Sequence, residues 1–307
     1  MNNKELVAAI EKNLSSVFKG TTEASDGTMN TEQATAFIKK VVDQSEFLSM
    51  IGLENMRSDK KEINLIGMAN RVIRKGVKGT APDATAWNNG KRTLDAVETV
   101  LAVNISFDDL EDMIEEGNTE NTITDIMTTT FGNDMADLGI NGDEDESDDF
   151  LEINDGIIEL VTSDSDVNSI EPWAADSKRK AVLAAILKKM PNKWKRNVND
   201  LRFFCSPSFD EEYRDEIGER NTALGDTATT EATRVKHKGI IVEPVGFWPD
   251  NLVLLTNPKN LKLGIHKRNM RLGRFINERT RSVELTLSTR ADFQYALSEA
   301  ISYGVQA

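Results

Sequence analysis

A chain of 307 residues that is 39% hydrophobic can bury a substantial core, and its net charge of −14 weighs against a protein built mainly to grip nucleic acid. One cysteine and two histidines exclude an internal disulfide and leave no ligand set for structural zinc. No apolar run reaches the roughly 20 residues of a membrane-spanning helix, and the first residues lack a signal-peptide core, so a reducing cytoplasm is the expected setting.

Taken in chain order, residues 3–18 place Leu6, Ile10, Leu14, Val17 and Phe18 at helical spacing before Gly20 stops the pattern. A polar linker follows, and Asn30 with Gln33 forms a capping box for a second helix whose apolar side runs from Phe37 through Val41 and Val42 to Phe47, Leu48 and Ile51. From Glu62 the period shortens. Ile63, Leu65 and residues 72–77 suggest one strand, residues 93–105 its return, and a turn-rich tip containing Gly79, Pro82 and Asn89-Gly90 lies between them. A two-stranded arm of this length has little core of its own and is expected to lie on a neighbouring surface.

A short helical piece at 108–114 precedes a longer helix from Thr119 to Asn141, where Ile123, Met127, Phe131, Met135 and Leu138 form a narrow apolar stripe suited to lying across a sheet. An acidic loop is next, then alternating apolar residues Ile157, Ile158, Leu160 and Val161. Asp176 is the expected cap of a helix over 177–190 that Pro191 ends. Residues 201–205, with Cys205, read as a buried strand, and Ser208 with Glu211 as a capping box for a helix reaching Ile217. After a loop of small residues at 222–233, the C-terminal third is strand-like at 240–245, 252–256, 261–265, 283–289 and 293–297. The fold class is mixed α+β.

Charge is strongly segregated. Residues 93–177 carry 25 Asp and Glu and no Lys, Arg or His, whereas residues 57–92 carry nine basic residues against three acids. Such separation departs from the mixed surface of ordinary soluble proteins and leaves two readings open: internal pairing of solvated faces, or faces that meet or repel something charged. The densest acids are Asp143, Glu144, Asp145, Glu146, Asp148 and Asp149. Clustered carboxylates can hold calcium, but Asp148 stands where an EF-hand loop needs glycine, so a solvated loop is expected and no metal or other cofactor is. No nucleophile-elbow, phosphate-loop, zincin or dinucleotide-binding pattern occurs, and His237 and His266 each adjoin lysine, so no catalytic residue is expected. Lys188, Lys189, Lys193, Lys195 and Arg196 surround Trp194, and Lys267, Arg268, Arg271 and Arg274 form a second basic cluster; in an acidic chain both are read as subunit contacts.

The order of these parts resembles the major capsid proteins of tailed bacteriophages with the HK97 fold. Individual strings carry the resemblance too: FGNDMADLGINGDEDESDDFLEINDG is similar to the exit of the spine helix, FFCSPSFDEEYRDEIGER to an axial-domain strand and helix, and LLTNPKNLKLGIHKRNMRL with STRADFQYALSEA to the closing strands. The resemblance implies an N-terminal arm and helix (1–56), an extended hairpin or E-loop (57–104), the spine helix and peripheral domain (105–175), an axial domain (176–256) and closing strands (257–307). It implies a structural, non-enzymatic subunit that self-assembles through pentamers and hexamers into an icosahedral or prolate shell around packaged dsDNA, found in the virion and assembled in the host cytoplasm, without sequence-specific DNA binding or a membrane. Implied partners are a portal and a separate scaffold protein, since only residues 1–28 precede the arm helix; a decoration protein is left open.

In that family the hairpin lies over a neighbour, so Arg71, Arg74, Lys75 and Lys78 are the expected inter-subunit contacts, and the six acids at 143–149 the expected acidic partner or lumenal face. Self-crosslinking members use a hairpin lysine, but no matching Asn or Glu is identified for Lys75 or Lys78, and crosslinking is not expected. The alternatives are another self-assembling phage component, such as a tail-tube or decoration protein, which the helix at 119–141 argues against, and a metal-dependent hydrolase built on the acidic loop.

Overall fold

The computed structural model describes residues 31–67, 88–108, 119–219, 234–267 and 270–307. The expected helix at 3–18, the Asn30 cap, the strand at 72–77, the hairpin tip up to residue 87, most of the 108–114 piece and the 222–233 loop lie outside them; Asn89-Gly90, expected in the tip, instead pairs with Ile66 and Leu65 in the hairpin strands, its turn signal overridden by the ladder. Helix α1 (Thr31–Gln44) buries Ala34, Ile38 and Val41, three positions one face apart at helical spacing. The apolar run to Ile51 is not one helix: Ser45 is extended (φ −98°, ψ 121°), and its hydroxyl accepts the Leu48 N–H to open α2 (Glu46–Met50), which buries Phe47 and Leu48.

Strand β1 (Gly52–Met56) then leads into the hairpin β2 (Lys60–Gly67) and β3 (Asn88–Asp95), paired from Lys60↔Asp95 to Gly67↔Asn88. The expected single return strand over 93–105 is two. The Ala96 N–H still bonds the Asp59 carbonyl of the hairpin at 2.8 Å, and from Val97 onward β4 (Val97–Ser106) changes partner to pair with β12 (Ser282–Tyr295). Residues 283–289 and 293–297, expected as two strands, form this one 14-residue strand, whose inward positions Val283, Leu285, Leu287, Ala291, Phe293 and Tyr295 keep a strict period of two. β10 (Leu261–His266) pairs with its C-terminal part and in parallel with β1, while β11 (Arg271–Asn277), unforeseen because charge masks its alternation, pairs with its N-terminal part. Ala291 is paired with both Val97 and Ile265, so β4 and β10 flank β12 on opposite sides.

Across the buried face of this five-stranded sheet lies α3 (Thr119–Asn141), which buries Met127, Phe131, Met135 and Leu138 as its stripe requires. A Cβ at Gly139 would come within 2.4 Å of the Phe293 ring, so the missing side chain lets helix and strand approach at that point. Burial of Phe293 and Phe131 contributes roughly 1.5–3 kcal/mol each. The apolar residues at 157–161 form a short helix, α4 (Ile157–Ser163), rather than a strand; Ile157 and Val161 are buried four residues apart.

The second, six-stranded sheet runs β5 (Asn168–Ser169), β13 (Ser302–Val305), β9 (Leu252–Thr256), β6 (Arg202–Cys205), β8 (Ile240–Pro244), β7 (Lys236–His237). The C-terminal strand β13 thus returns to this second sheet. α5 (Arg179–Lys189) and α6 (Pro207–Gly218) pack on it, with Phe203, Cys205, Val253 and Leu255 in their core. Phe204 faces the other way, stacked on Trp248 at 5.7 Å and edge-on to Phe47, which ties this sheet to the N-terminal arm. Neither predicted cap holds: α5 starts after Lys178 without a side-chain cap, and Ser206, not Ser208, caps α6 by accepting the Phe209 N–H, because Pro207 already supplies the first helical residue.

Candidate assembly surfaces

The root of the hairpin is a built joint. Met56, Leu94 and Ala96 bury a small apolar cluster, and a Cβ at Gly264 would come within 2.7 Å of the Met56 sulfur and 3.0 Å of Leu94. Beside it Asp292 accepts the Asp95 N–H (2.7 Å) at one oxygen, and the Asn154 amide (3.1 Å) and its neighbour Phe293 N–H (2.7 Å) at the other. No cation reaches it among the described residues, and burial pushes its carboxyl up from 3.8 to about 6 against the lowering effect of those hydrogen bonds. A second joint is ionic. Arg92 on β3 bonds Asp164 and stacks 4.5 Å above the Tyr295 ring, while the Tyr295 hydroxyl also bonds Asp164. Burial alone would raise the Asp164 carboxyl, but bonds from Tyr295, the Asp166 N–H and Arg92 outweigh it and hold it below the ordinary value.

Of the hairpin's basic residues, those at its root are satisfied within the chain: Lys60 with Asp95 (2.5 Å), Lys61 with Glu54 (2.7 Å), Lys91 with Glu62 (2.5 Å) and Arg92 with Asp164. For these four, internal pairing is the observed arrangement. Arg71, Arg74, Lys75 and Lys78, the expected inter-subunit contacts, lie outside the described residues.

The acidic loop is folded rather than loose. Gly142 and Gly156 meet back to back, with the Gly156 N–H donating to the Gly142 carbonyl at 2.7 Å; a Cβ on Gly142 would lie 2.2 Å from the Asn154 carbonyl oxygen. Within that closure Asp143 N–H bonds the Leu151 carbonyl, and Glu152 N–H the Asp148 carbonyl, both at 3.0 Å. The carboxylates of Asp143, Glu144, Asp145, Glu146, Asp148 and Asp149 point to solvent or cap their own turns, and among the described residues none of the six forms an ion pair. Their field reaches Glu159, whose carboxyl is raised by burial and by Asp143, Asp155 and Asp145. Among the described residues no group of three or more His, Cys, Asp and Glu is placed to hold a metal ion.

Of the basic residues around Trp194, Arg196 lines a groove of about 520 Å³ between residues 194–201 and the segment 257–262, and a smaller cleft that shares Asp200, Asn257 and Lys259 with it reaches Arg202. Cys205 is buried and burial pushes its thiol far up; His237 is buried against the Tyr213 hydroxyl (3.1 Å), and burial lowers it to about 4. His266 pairs with Asp59 at 3.1 Å. Sequence reasoning missed Asp292, Asp164 and Tyr295. An acid flanked by Ala291 and Phe293 inside an apolar strand was the available signal for the first; the Arg92–Asp164 pair spans 72 residues and had none.

No protein-family model matches the chain. A prophage capsid protein of Bacillus subtilis, YqbE, is 29% identical over 316 aligned residues that cover 98% of each chain. Among solved structures, the procapsid of satellite phage P4, which includes the size determination protein, superposes with a TM-score of 0.74 at 13% identity over 97% of both chains. The capsid of a native GTA particle gives 0.58 at 12% identity, over 86% of this chain and 90% of that one. A virus-like particle from Pyrococcus furiosus gives 0.53 at 10% identity, over 89% and 98%. The fold is that of HK97-like phage capsid subunits.

Proposed function

We propose that this chain is the major capsid protein of a tailed phage or prophage, a structural subunit whose copies close into the shell that holds packaged DNA. The observation that carries this is the end-to-end match: hairpin, long helix and both sheets correspond over 97% of the chain to a procapsid subunit, and the same length aligns with a prophage capsid protein. Supporting it, among the described residues the hairpin's buried apolar cluster lies at its root, as expected of an element that finishes its packing on a neighbour. In this reading pentamers and hexamers gather around the axial domain, a scaffold and a portal act during assembly, and the acidic tract repels phosphate at close range where it faces the lumen. Electron microscopy and sedimentation of the full-length chain, expressed alone and with its neighbouring phage genes, test this. Closed shells are expected, and a protein that stays monomeric or dimeric under both conditions refutes the reading.

A further inference from the structure

Two oppositely charged sets on this chain form no ion pair among the described residues. In the groove beside Trp194, Arg196 and Lys259 form none, and Arg202, in the adjoining cleft, donates to the carbonyls of Asn199 and Leu201 and meets only the field of Glu243, which Arg234 already pairs. The third cation lining the groove, Lys262, is paired with Glu54, and the one carboxylate lining it, Asp200, accepts from Asn197. In a chain with 51 acids and 37 bases, cations are the rarer species, and here Arg196 and Lys259 line the groove while Arg202 lines the cleft that shares Asp200, Asn257 and Lys259 with it. The complementary set is the loop at 143–149, with five exposed carboxylates, the half-buried Asp143 and no cation. Its backbone is already fixed by the Gly142–Gly156 closure, so seating it elsewhere costs little ordering entropy.

We infer that the groove and adjoining cleft lined by Arg196, Arg202 and Lys259 receive the acidic loop of a second copy of this chain. This rests on the assembly reading above and names a contact within it. Charge complementarity favours that occupant over DNA: a duplex needs a broad basic surface, whereas this groove is narrow, carries Asp200, and belongs to a chain of net −14. The contact is head-to-tail, since loop and groove are different surfaces, and such a contact propagates around a ring or shell instead of ending at a dimer.

The test uses full-length variants. Arg196→Glu with Lys259→Glu is expected to reduce shell yield by about tenfold or more, as like charges replace opposite ones across a partly desolvated contact. Adding Asp145→Lys and Asp149→Lys, whose side chains bond nothing within the loop, is expected to restore the yield. Circular dichroism of the unassembled variants should match wild type. Separately, Ser147→Cys and Asn197→Cys proteins, mixed under oxidising conditions, should form a disulfide-linked heterodimer that neither forms alone, because native Cys205 is buried. Unchanged yield from the groove reversal, or failure of the swap to restore it, overturns the inference while leaving the capsid reading intact. Normal assembly with loss of DNA binding overturns it in favour of a nucleic-acid surface. If wild-type chains form no shells at all, the capsid reading fails, and the mixed-cysteine heterodimer still decides the loop–groove contact by its presence or absence.

Discussion

Replacing Asp292 by Asn should change how stability depends on pH more than it changes stability itself. The carboxyl sits under the hairpin root with three N–H donors and no cation, and its folded value is about 6 against 3.8 when unfolded. At about 1.4 kcal/mol per pH unit, holding it ionised costs about 3 kcal/mol. Because the folded value lies above the unfolded one, the group's contribution to stability is fully present below 3.8 and is lost as pH rises through about 6. Asparagine has no such loss. It can keep its oxygen on Asn154 and Phe293 but turns an amide N–H toward the Asp95 N–H, a pH-independent cost of about 1–3 kcal/mol. The stability of wild type minus that of D292N should therefore fall by about 2–3 kcal/mol between pH 4 and pH 8, read by urea unfolding of the unassembled chain at each pH. Asp95, whose charge adds to the rise at Asp292 and which pairs with Lys60, and Asp59 and Glu98, which pair with Arg290, are present in both proteins and so are common to the comparison. A difference flat within about 0.5 kcal/mol, or one that grows with pH, would refute the reasoning.

Gly142→Ala places a methyl 2.2 Å from the Asn154 carbonyl and should destabilise by on the order of 2–4 kcal/mol or unseat the acidic loop, whereas Gly246→Ala, with nothing within 4 Å of the new Cβ, should stay within about 0.5–1 kcal/mol; urea midpoints of the pair check it. Arg92→Ala should cost about 1–3 kcal/mol and Tyr295→Phe about 1–2 kcal/mol. Because both residues bond Asp164, the double variant should fall short of their sum by about 0.5 kcal/mol or more, and strict additivity would show that the three do not act as one joint. Reversing Arg71, Arg74, Lys75 and Lys78 together should block shell formation in sedimentation while the circular dichroism of the chain is unchanged, since exposed charges set partner geometry more than folding; normal shells from that variant would remove the hairpin's basic residues from assembly.

What could be read from the chain alone were the features with a short period. The stripe Met127, Phe131, Met135, Leu138 located α3, and the run Phe203, Phe204, Cys205 located a strand buried on both faces, because each pattern repeats within one element. Boundaries failed where the deciding partner is remote. The hairpin ends at Ala96 because β4 changes partner to β12, far along the chain, and residues 157–161 are helical because Ile157 and Val161 must both face the core next to α3. β11 escaped notice because its outward positions, Arg271 and Phe275, mix charge with an exposed aromatic, so no alternation of polarity marks it. Charge segregation left internal pairing and contact with a partner both open, and at the hairpin root it is pairing that is observed: Lys60, Lys61, Lys91 and Arg92 meet Asp95, Glu54, Glu62 and Asp164 of their own chain.

That consumption sharpens the meaning of the segregation. A pair closed within one chain can orient the hairpin but cannot select a neighbour, because it offers no unmet charge to anything approaching. Selection falls to charges that the fold leaves unmet. Two such sets on the described surface are the carboxylates at 143–149 and the cations Arg196, Arg202 and Lys259; they lie on different elements, the loop fixed by the glycine closure and Lys259 by the turn from Asn257 to Asn260. Two rigid, oppositely charged and non-overlapping surfaces on one chain define a direction of association, and a subunit that must repeat the same contact many times to close a shell needs a direction more than it needs a strong bond.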